Sequence, residues 1–492
     1  YYMGFDESSL GYKPVNPLTL SSLMRTESLN GYFMWQSIYN NYITDVENRF
    51  VSFYSNAAYC FDNRYDITGS IRVDQSNLFG TDPKFQYRPL WSVGGAWHIK
   101  REKFWKGRAS WIDNLTLRLT YGIGGNVPKD AGPYLTLEAA RYNQWSRDFA
   151  SAIKNPPNPT LRWEKTATTN IGVDFAFFGN RITGALEFYN KRSNDLLANR
   201  EADPTLGWRR VTLNYGTMYN RGIEFMLSSN NIRTTDFSWS TTLNFGYNKN
   251  KLIDIDDSDI NVFGITSGNA SVKGYPLGAI FSFRYAGLNG TDGTPQYYVD
   301  GGSRVAKEVT SLDDLVYSGT RIPKYNGSLT NIFTYKNFNL SIMFVYYGGH
   351  VLRGEAAPFL SVAPTTNVNR DILNRWQQPG DEKRANVTPA FTGYSLDATT
   401  VRHPWYAADI HVIKGDYVKL RDLSLTYNFD KQQIGKWGFS NLSLILQVQN
   451  LLTWHANNEG IDPEALGTFG YGWGQRGIPN PTTWTIGLSA KF

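Results

Sequence analysis

Residues 168–190 read TTNIGVDFAFFGNRITGALEFYN. Two alternating segments, 168–178 and 181–190, are separated only by Gly179 and Asn180, residue types that suit the tight turn of a β-hairpin. Each segment is about ten residues long, enough for a tilted strand to cross a bilayer. Comparable stretches recur at 65–73, 114–121, 221–229, 237–248, 327–335, 338–347, 416–429, 441–450 and 482–492, with weaker ones near 31–42, 49–60 and 90–98. Roughly fourteen spanning strands result, too many for one ordinary sandwich.

The connections between these segments alternate in length. Lys336–Asn337 and Asp62–Asn63 make turns as short as Gly179–Asn180, whereas 123–166, 192–218, 249–326, 348–415 and 451–481 are long. Short turns on one side and long excursions on the other are the pattern of an outer-membrane β-barrel, with periplasmic turns and extracellular loops. A terminal strand running towards the periplasm places all five long stretches outside the cell. The parity closes only if GAIFSFRYAGL (278–288) lies within an excursion and does not span.

The faces of the strands agree. In 237–248, Trp239, Thr241, Leu243, Phe245 and Tyr247 oppose Ser240, Thr242, Asn244, Gly246 and Asn248, so one side suits lipid and the other a wet lumen. Arg118 falls with Thr116 and Thr120, opposite Leu115, Leu117, Leu119 and Tyr121. In the terminal TTWTIGLSAKF (482–492), Trp484, Ile486, Leu488, Ala490 and Phe492 share a face. That alternation alone fits a half-buried soluble strand as well as a membrane strand.

Composition supports an all-β chain. Of 492 residues, 15% are aromatic, 45 are Gly and only 19% are charged, which favours strands, turns and aromatic girdles over helices. Mean hydropathy is -0.41 and no run approaches the length of a membrane helix, which excludes a helical membrane protein but not a barrel with polar lumen and loops. The single Cys60 allows no internal disulfide. A net charge of +6, with basic residues scattered among acidic ones, argues against nucleic-acid binding. The first residues, YYMGFDESSLGYKP, carry no secretory signal pattern.

No HExxH, GxSxG, phosphate-loop or Cys/His metal spacing is present, and His98, His350, His403, His411 and His455 are dispersed; no catalysis is indicated. IDIDDSDI (253–260) groups Asp254, Asp256, Asp257 and Asp259, a set that suits Ca2+ or a solvated acidic loop. In the long polar stretches, Trp208 with Arg209, Trp376, Trp405 with Tyr406, and Tyr471 with Trp473 offer flat rings that could stack on sugars or peptide side chains, or pack the loops on one another.

Several stretches carry a family resemblance: FDNRYDITGSIRVDQSNLFG (61–80), YRPLWSVGGAWHIKREKFW (87–105), LTLRLTYGIGGN (115–126), NPTLRWEKTATTNIGVDFAFFGNRITGALEFYNKRSNDLL (158–197) and NYGTMYNRGIEF (214–225). GYPLGAIFSFRYAGLNGTDGTPQY (274–297), RIPKYNGSLTNIFTYKNFNLSIMFVYYGG (321–349), RWQQPGD (375–381) and DYVKLRDLSLTYNF (416–429) follow in order. Together they resemble the C-terminal barrel portion of SusC-like (SusC/RagA) TonB-dependent transporters. The resemblance implies a transmembrane antiparallel barrel of roughly 22 strands around an N-terminal plug. Residues 1–492 would supply its last fourteen or so strands, and the signal peptide, TonB box, plug and first strands are expected outside this chain.

The resemblance also implies a nutrient importer for oligosaccharides or peptides in the outer membrane of a Bacteroides-type Gram-negative bacterium. A SusD-like surface lipoprotein would act as lid and TonB would work through the N-terminal part; no enzymatic activity is expected, and no cofactor unless the acidic residues at 253–260 hold Ca2+ in place of forming a solvated loop. The terminal strand, with Trp484, Ile486, Leu488 and Phe492, would be the signal read by the barrel-assembly machinery. The alternative is a barrel retained as a scaffold of an envelope complex without active transport.

Overall fold

The computed structural model describes residues 2–3, 45–46, 49–78, 82, 84, 87–105, 107–126, 132–137, 141–143, 148–151, 153–201, 203, 205, 208, 210–255, 261–299, 302–305, 311–356, 370–390, 403–430, 434–465 and 477–491. Thirteen strands form one large antiparallel sheet. They are β1 Phe50–Phe61, β2 Tyr65–Ser76, β3 Pro89–His98, β4 Ile112–Asn126, β5 Glu164–Phe177, β6 Ile182–Glu201 and β7 Arg210–Arg233. The sheet continues with β8 Phe237–Asp254, β9 Tyr325–Tyr335, β10 Phe338–Gly348, β11 Tyr417–Asn428, β12 Asn441–His455 and β13 Thr483–Lys491. Each pairs with its neighbours in chain order, and the described sheet ends at β1 and β13. The stretch 31–42, expected as a further strand, lies outside the described residues.

The β1–β2, β5–β6 and β9–β10 connections, at one end of the sheet, are tight turns because their backbones can reverse there. Asp62 and Asn63 both sit at φ 52°, and Arg64 N–H closes the turn onto Phe61 O at 3.0 Å; positive φ at both central positions matches the right-handed twist of the flanking strands. Gly179 and Asn180, at φ 66° and 60°, and Lys336, at φ 50°, turn the β5–β6 and β9–β10 hairpins. The expectation for 278–288 holds: Ala279–Phe283 pairs with Leu315–Thr320, and Tyr285–Leu288 pairs with Pro295–Val299, both apart from the large sheet. β8 therefore pairs directly with β9, and the up-down parity is kept.

One expectation is corrected. The stretch 192–218 is not a long loop, because β6 and β7 run on as a paired ribbon to Glu201 opposite Arg210. At 20 and 24 residues, these strands are roughly twice what a bilayer needs. Apolar alternation stops where lipid would stop, but backbone pairing continues, with a register shift between Ser193 and Leu196. There Asp195 sits at φ 60° and accepts a bond from Arg162 Nη2 at 2.7 Å.

Register turns the alternation into two continuous surfaces. Tyr59, Ile67, Gly95, Leu119, Ile171, Phe188, Ile223 and Tyr247 lie side by side from β1 to β8. On the same face, Trp239, Phe333, Leu340, Leu425, Leu446 and Ile486 run from β8 to β13. Asn331, a polar side chain on this face, accepts bonds from Trp239 Nε1 at 3.0 Å and Thr241 Oγ1 at 2.7 Å.

The opposite surface is polar. Arg118, Gly172, Glu187, Glu224, Gly246 and Asn326 are successive partners across β4 to β9. Arg118 donates to both oxygens of Asp174, at 2.7 and 2.8 Å, and to Glu187 Oε1 at 2.7 Å. Asn170 Nδ2 holds the other Glu187 oxygen at 3.0 Å. The guanidinium reaches them by crossing Gly172, where a Cβ would lie 3.1 Å from Nη2. Arg118 thus faces away from the apolar surface, as its position among Thr116 and Thr120 predicts.

This division generates a test. Leu119 is 54% exposed on the apolar face, midway along β4. In the intact barrel, Leu119→Arg should cost about 2–4 kcal/mol and lower the folded fraction in lipid vesicles, read by heat-modifiable gel mobility. Thr330→Lys on the polar face should stay within about 0.5 kcal/mol of the parent. Equal losses from both would refute the assignment of faces.

Candidate binding mouth

At the end of the sheet opposite the short turns, the β8–β9 and β10–β11 excursions fold on one another. Val262, Phe283, Tyr297, Ala407 and Ala408 form a buried apolar cluster shared between them. Phe283 N–H bonds Ala407 O at 3.1 Å, and Tyr285 N–H bonds Asp409 Oδ1 at 3.0 Å. Val351–Arg353 pairs with Val412–Lys414, bringing the buried Arg353 beneath this cluster. The mouth is therefore floored by packed structure with its own core.

Charges at this core are controlled by burial. His403 is buried, 3.1 Å from Thr266 Oγ1 through Nε2, and its ring lies 4.5 Å from that of Phe263. His411 meets Trp405 edge-on at 4.5 Å. Burial, helped by the Arg353 charge, lowers both imidazoles to about 4, so both are neutral at pH 7.

A second charged group stands where the β12–β13 excursion bends back onto the wall. The fully buried Lys419 donates to Asp462 Oδ2 and Glu464 Oε2, each at 2.8 Å. Arg421 donates to both Glu464 oxygens and, at 2.9 Å, to Asn450 Oδ1, while Tyr417 OH donates to Glu464 Oε1 at 2.8 Å. Burial would raise the Glu464 carboxyl, but the bonds from Arg421, Lys419 and Tyr417 outweigh it and hold the group down at about 2. Breaking a buried pair of this kind leaves an uncompensated charge worth several kcal/mol, so this cluster fixes the excursion at 461–465 to the wall.

The residues proposed for ligand contact are distributed unevenly. Trp376 is buried with Leu288 and Ala390, packs over Gly293, and donates through Nε1 to Glu382 Oε2 at 3.3 Å. Trp405 is buried against Ala356, with Tyr285 and Tyr406 packed around it. Of the two roles the sequence left open for these rings, burial of Trp376 and Trp405 among the described residues favours loop packing, because a mouth built from long excursions needs a core of its own. Tyr406 and Trp208 are half-buried. Asp254 pairs with Lys273 at 2.9 Å; Arg209, Asp256, Asp257, Asp259, Tyr471, Trp473 and Phe492 lie outside the described residues.

Sequence reasoning missed Arg353, Lys419, Arg421 and Glu464. The signal available for two of them was a pair of cations, Lys419 and Arg421, inside the otherwise spanning stretch 416–429. Charge in a membrane strand has to face a wet or paired interior.

Residues 4–451 match the family described as TonB dependent receptor-like, beta-barrel. The chain belongs to that family. It is 28% identical over 478 residues to TonB-dependent receptor P26 of Formosa agariphila, covering 90% of this chain and 46% of that protein. To TonB-dependent receptor SusC of Bacteroides thetaiotaomicron it is 27% identical over 479 residues, covering 91% of this chain and 44% of that one. Among solved structures, the RagAB peptide transporter superposes with a TM-score of 0.74 at 23% identity, over 90% of this chain and 48% of the other, a likeness of fold. The chain spans about half the length of the relatives it matches. The family to which the TonB-dependent barrel belongs is an outer-membrane one, and the SusC-like resemblance read from the motifs holds.

The depressed imidazoles set a pH window. An unfolded histidine titrates near 6.5, so between about 6.5 and about 4 the opened mouth binds more protons than the closed one, and stability is lost as pH falls through that range. Hydrogen exchange should therefore show 262–283 and 403–411 opening faster at pH 4.5 than at pH 7.5, relative to the β4–β5 ladder, once corrected for intrinsic exchange. Equal protection at both values would contradict neutral burial of His403 and His411.

Proposed function

We propose that this chain is the C-terminal barrel wall and outer mouth of an importer that draws oligosaccharides or peptides across a Bacteroides-type outer membrane. A SusD-like surface lipoprotein acts as lid over the excursions. TonB, engaging an N-terminal part beyond this chain, displaces a plug from the lumen. No bond in the cargo is made or broken; the work is mechanical, and the wall supplies rigidity and a polar path. The observation that carries this reading is the sheet's two-sidedness: a lipid-type face from β1 to β13, with a hydrogen-bonded ionic row on the reverse. Likeness of fold to the RagAB peptide transporter favours peptides as a cargo class, and the SusC-like resemblance keeps oligosaccharides beside them.

We also propose that β13 is the strand recognised during barrel assembly. Trp484, Ile486 and Leu488 are 72%, 78% and 68% exposed along the sheet edge, an apolar strand available for pairing.

The test is genetic. Deleting the full-length gene, and separately inactivating TonB, should abolish growth of the source bacterium on one defined oligosaccharide or peptide mixture while sparing growth on monomers. The protein should also co-purify with a surface lipoprotein encoded nearby. Growth unchanged by the deletion on every polymer tested, with loss of an envelope complex instead, would favour the scaffold reading.

A further inference from the structure

Within the folded mouth lies a cavity of about 330 Å3 that the wall does not use. Its lining includes Thr266, Ala270, Ser271 and Gly278, and two guanidinium side chains, Arg321 and Arg353. Arg321 is pinned to that wall. Its backbone N–H donates to Gly278 O at 2.9 Å, and a Cβ at Gly278, where φ is 72°, would lie 2.9 Å from Arg321 Cγ and 3.0 Å from its Nε.

Arg353 is only 3% exposed. Its Nη2 donates to Phe281 O at 2.9 Å and Ser282 Oγ at 3.3 Å, and its Nη1 donates to Ala408 O at 3.2 Å and Tyr406 O at 3.5 Å. Among the described residues, these partners are all neutral, and the buried Nε makes no hydrogen bond. The carboxylate of Asp409 acts on it through space and is itself bonded by Tyr285 N–H. A buried cation without a bonded counter-ion is costly; both Nη groups of Arg353 are already engaged by neutral acceptors, so its Nε–H is the donor left for an anion, beside the Arg321 guanidinium, a group type suited to the oxygens of carboxylate, sulfate and phosphate.

We propose that this cavity is a binding site for an oxyanion, a carboxylate, sulfate or phosphate group, held by Arg353 and Arg321. The anion supplies Arg353 with a counter-charge and joins the two excursions that form the mouth. The site stands on the cavity and its charges and does not depend on the transport reading. The same chemistry could arrive as a free inorganic ion or as the acidic group of a larger solute.

The experiment uses the full-length protein in detergent, titrated calorimetrically with sodium sulfate, sodium acetate and inorganic phosphate at ionic strength held constant with chloride. Because Arg353 also holds backbone carbonyls, its removal could simply unfold the mouth, so two other variants carry the test. Arg321→Gln should weaken saturable binding about tenfold, the equivalent of one charge-assisted hydrogen bond. Ala270→Glu, which places a carboxylate in the cavity, should abolish binding. Saturable binding of glucose 6-sulfate with the same dependence on Arg321 would identify a solute-borne group, whereas binding confined to the inorganic ions would identify a free one; either supports the site. No saturable binding of any of the three salts, or binding unchanged in both variants, overturns it.

Discussion

In hydrocarbon a backbone N–H or C=O has no water to turn to, and each unpaired group costs several kcal/mol. That requirement organises this molecule. Thirteen strands pair in chain order in a single antiparallel sheet, satisfying the backbone strand by strand, and the pairing dictates what side chains may do. With a period of two, one face meets lipid and the other a lumen, so Leu119 and Arg118, adjacent in sequence, live in different solvents. Sequential pairing also demands a turn at every strand end. Where a turn needs only reversal, positive-φ residues such as Asp62, Asn63 and Gly179 provide it.

At the other end the chain spends most of its irregular length. Excursions of that size would be loose if they lay singly on the sheet, and here they are given cores. Phe283, Tyr297 and Ala407 form a core shared by two of them, Trp376 and Trp405 extend the packing between the same two, and Lys419 with Asp462 and Glu464 ties a third down electrostatically. Polar side chains along the lumen are similarly satisfied by partners on neighbouring strands, as Arg118 is by Asp174 and Glu187. A rigid wall and a structured mouth follow from the same rule: polar groups that leave water find a partner.

Much of this was legible in the sequence. Spanning strands announce themselves because lipid enforces apolar alternation, and the short turns because few residue types tolerate positive φ. The non-spanning character of 278–288 followed from parity alone. Outside the bilayer the alternation that marks a strand fades, so the extension of β6 and β7 to Glu201 and Arg210 was invisible. The aromatics at 376 and 405 stayed open between two roles for a related reason: a buried loop tryptophan and a ligand-stacking one look the same in sequence, and only packing separates them. Arg353 and Glu464 were missed because their partners are 43 or more residues away, joined only when the excursions fold.

The central claim, that this sheet is a wall between lipid and an aqueous lumen, is tested most directly by cysteine scanning along β8. In a full-length Cys60→Ser background, single cysteines replacing residues 239–245 would be probed with a membrane-impermeant thiol reagent and with a fluorophore sensitive to lipid-phase quenchers. Positions 240, 242 and 244 should react from water, and positions 239, 243 and 245 should be quenched from lipid, alternating residue by residue. Uniform aqueous labelling of both sets would contradict the account.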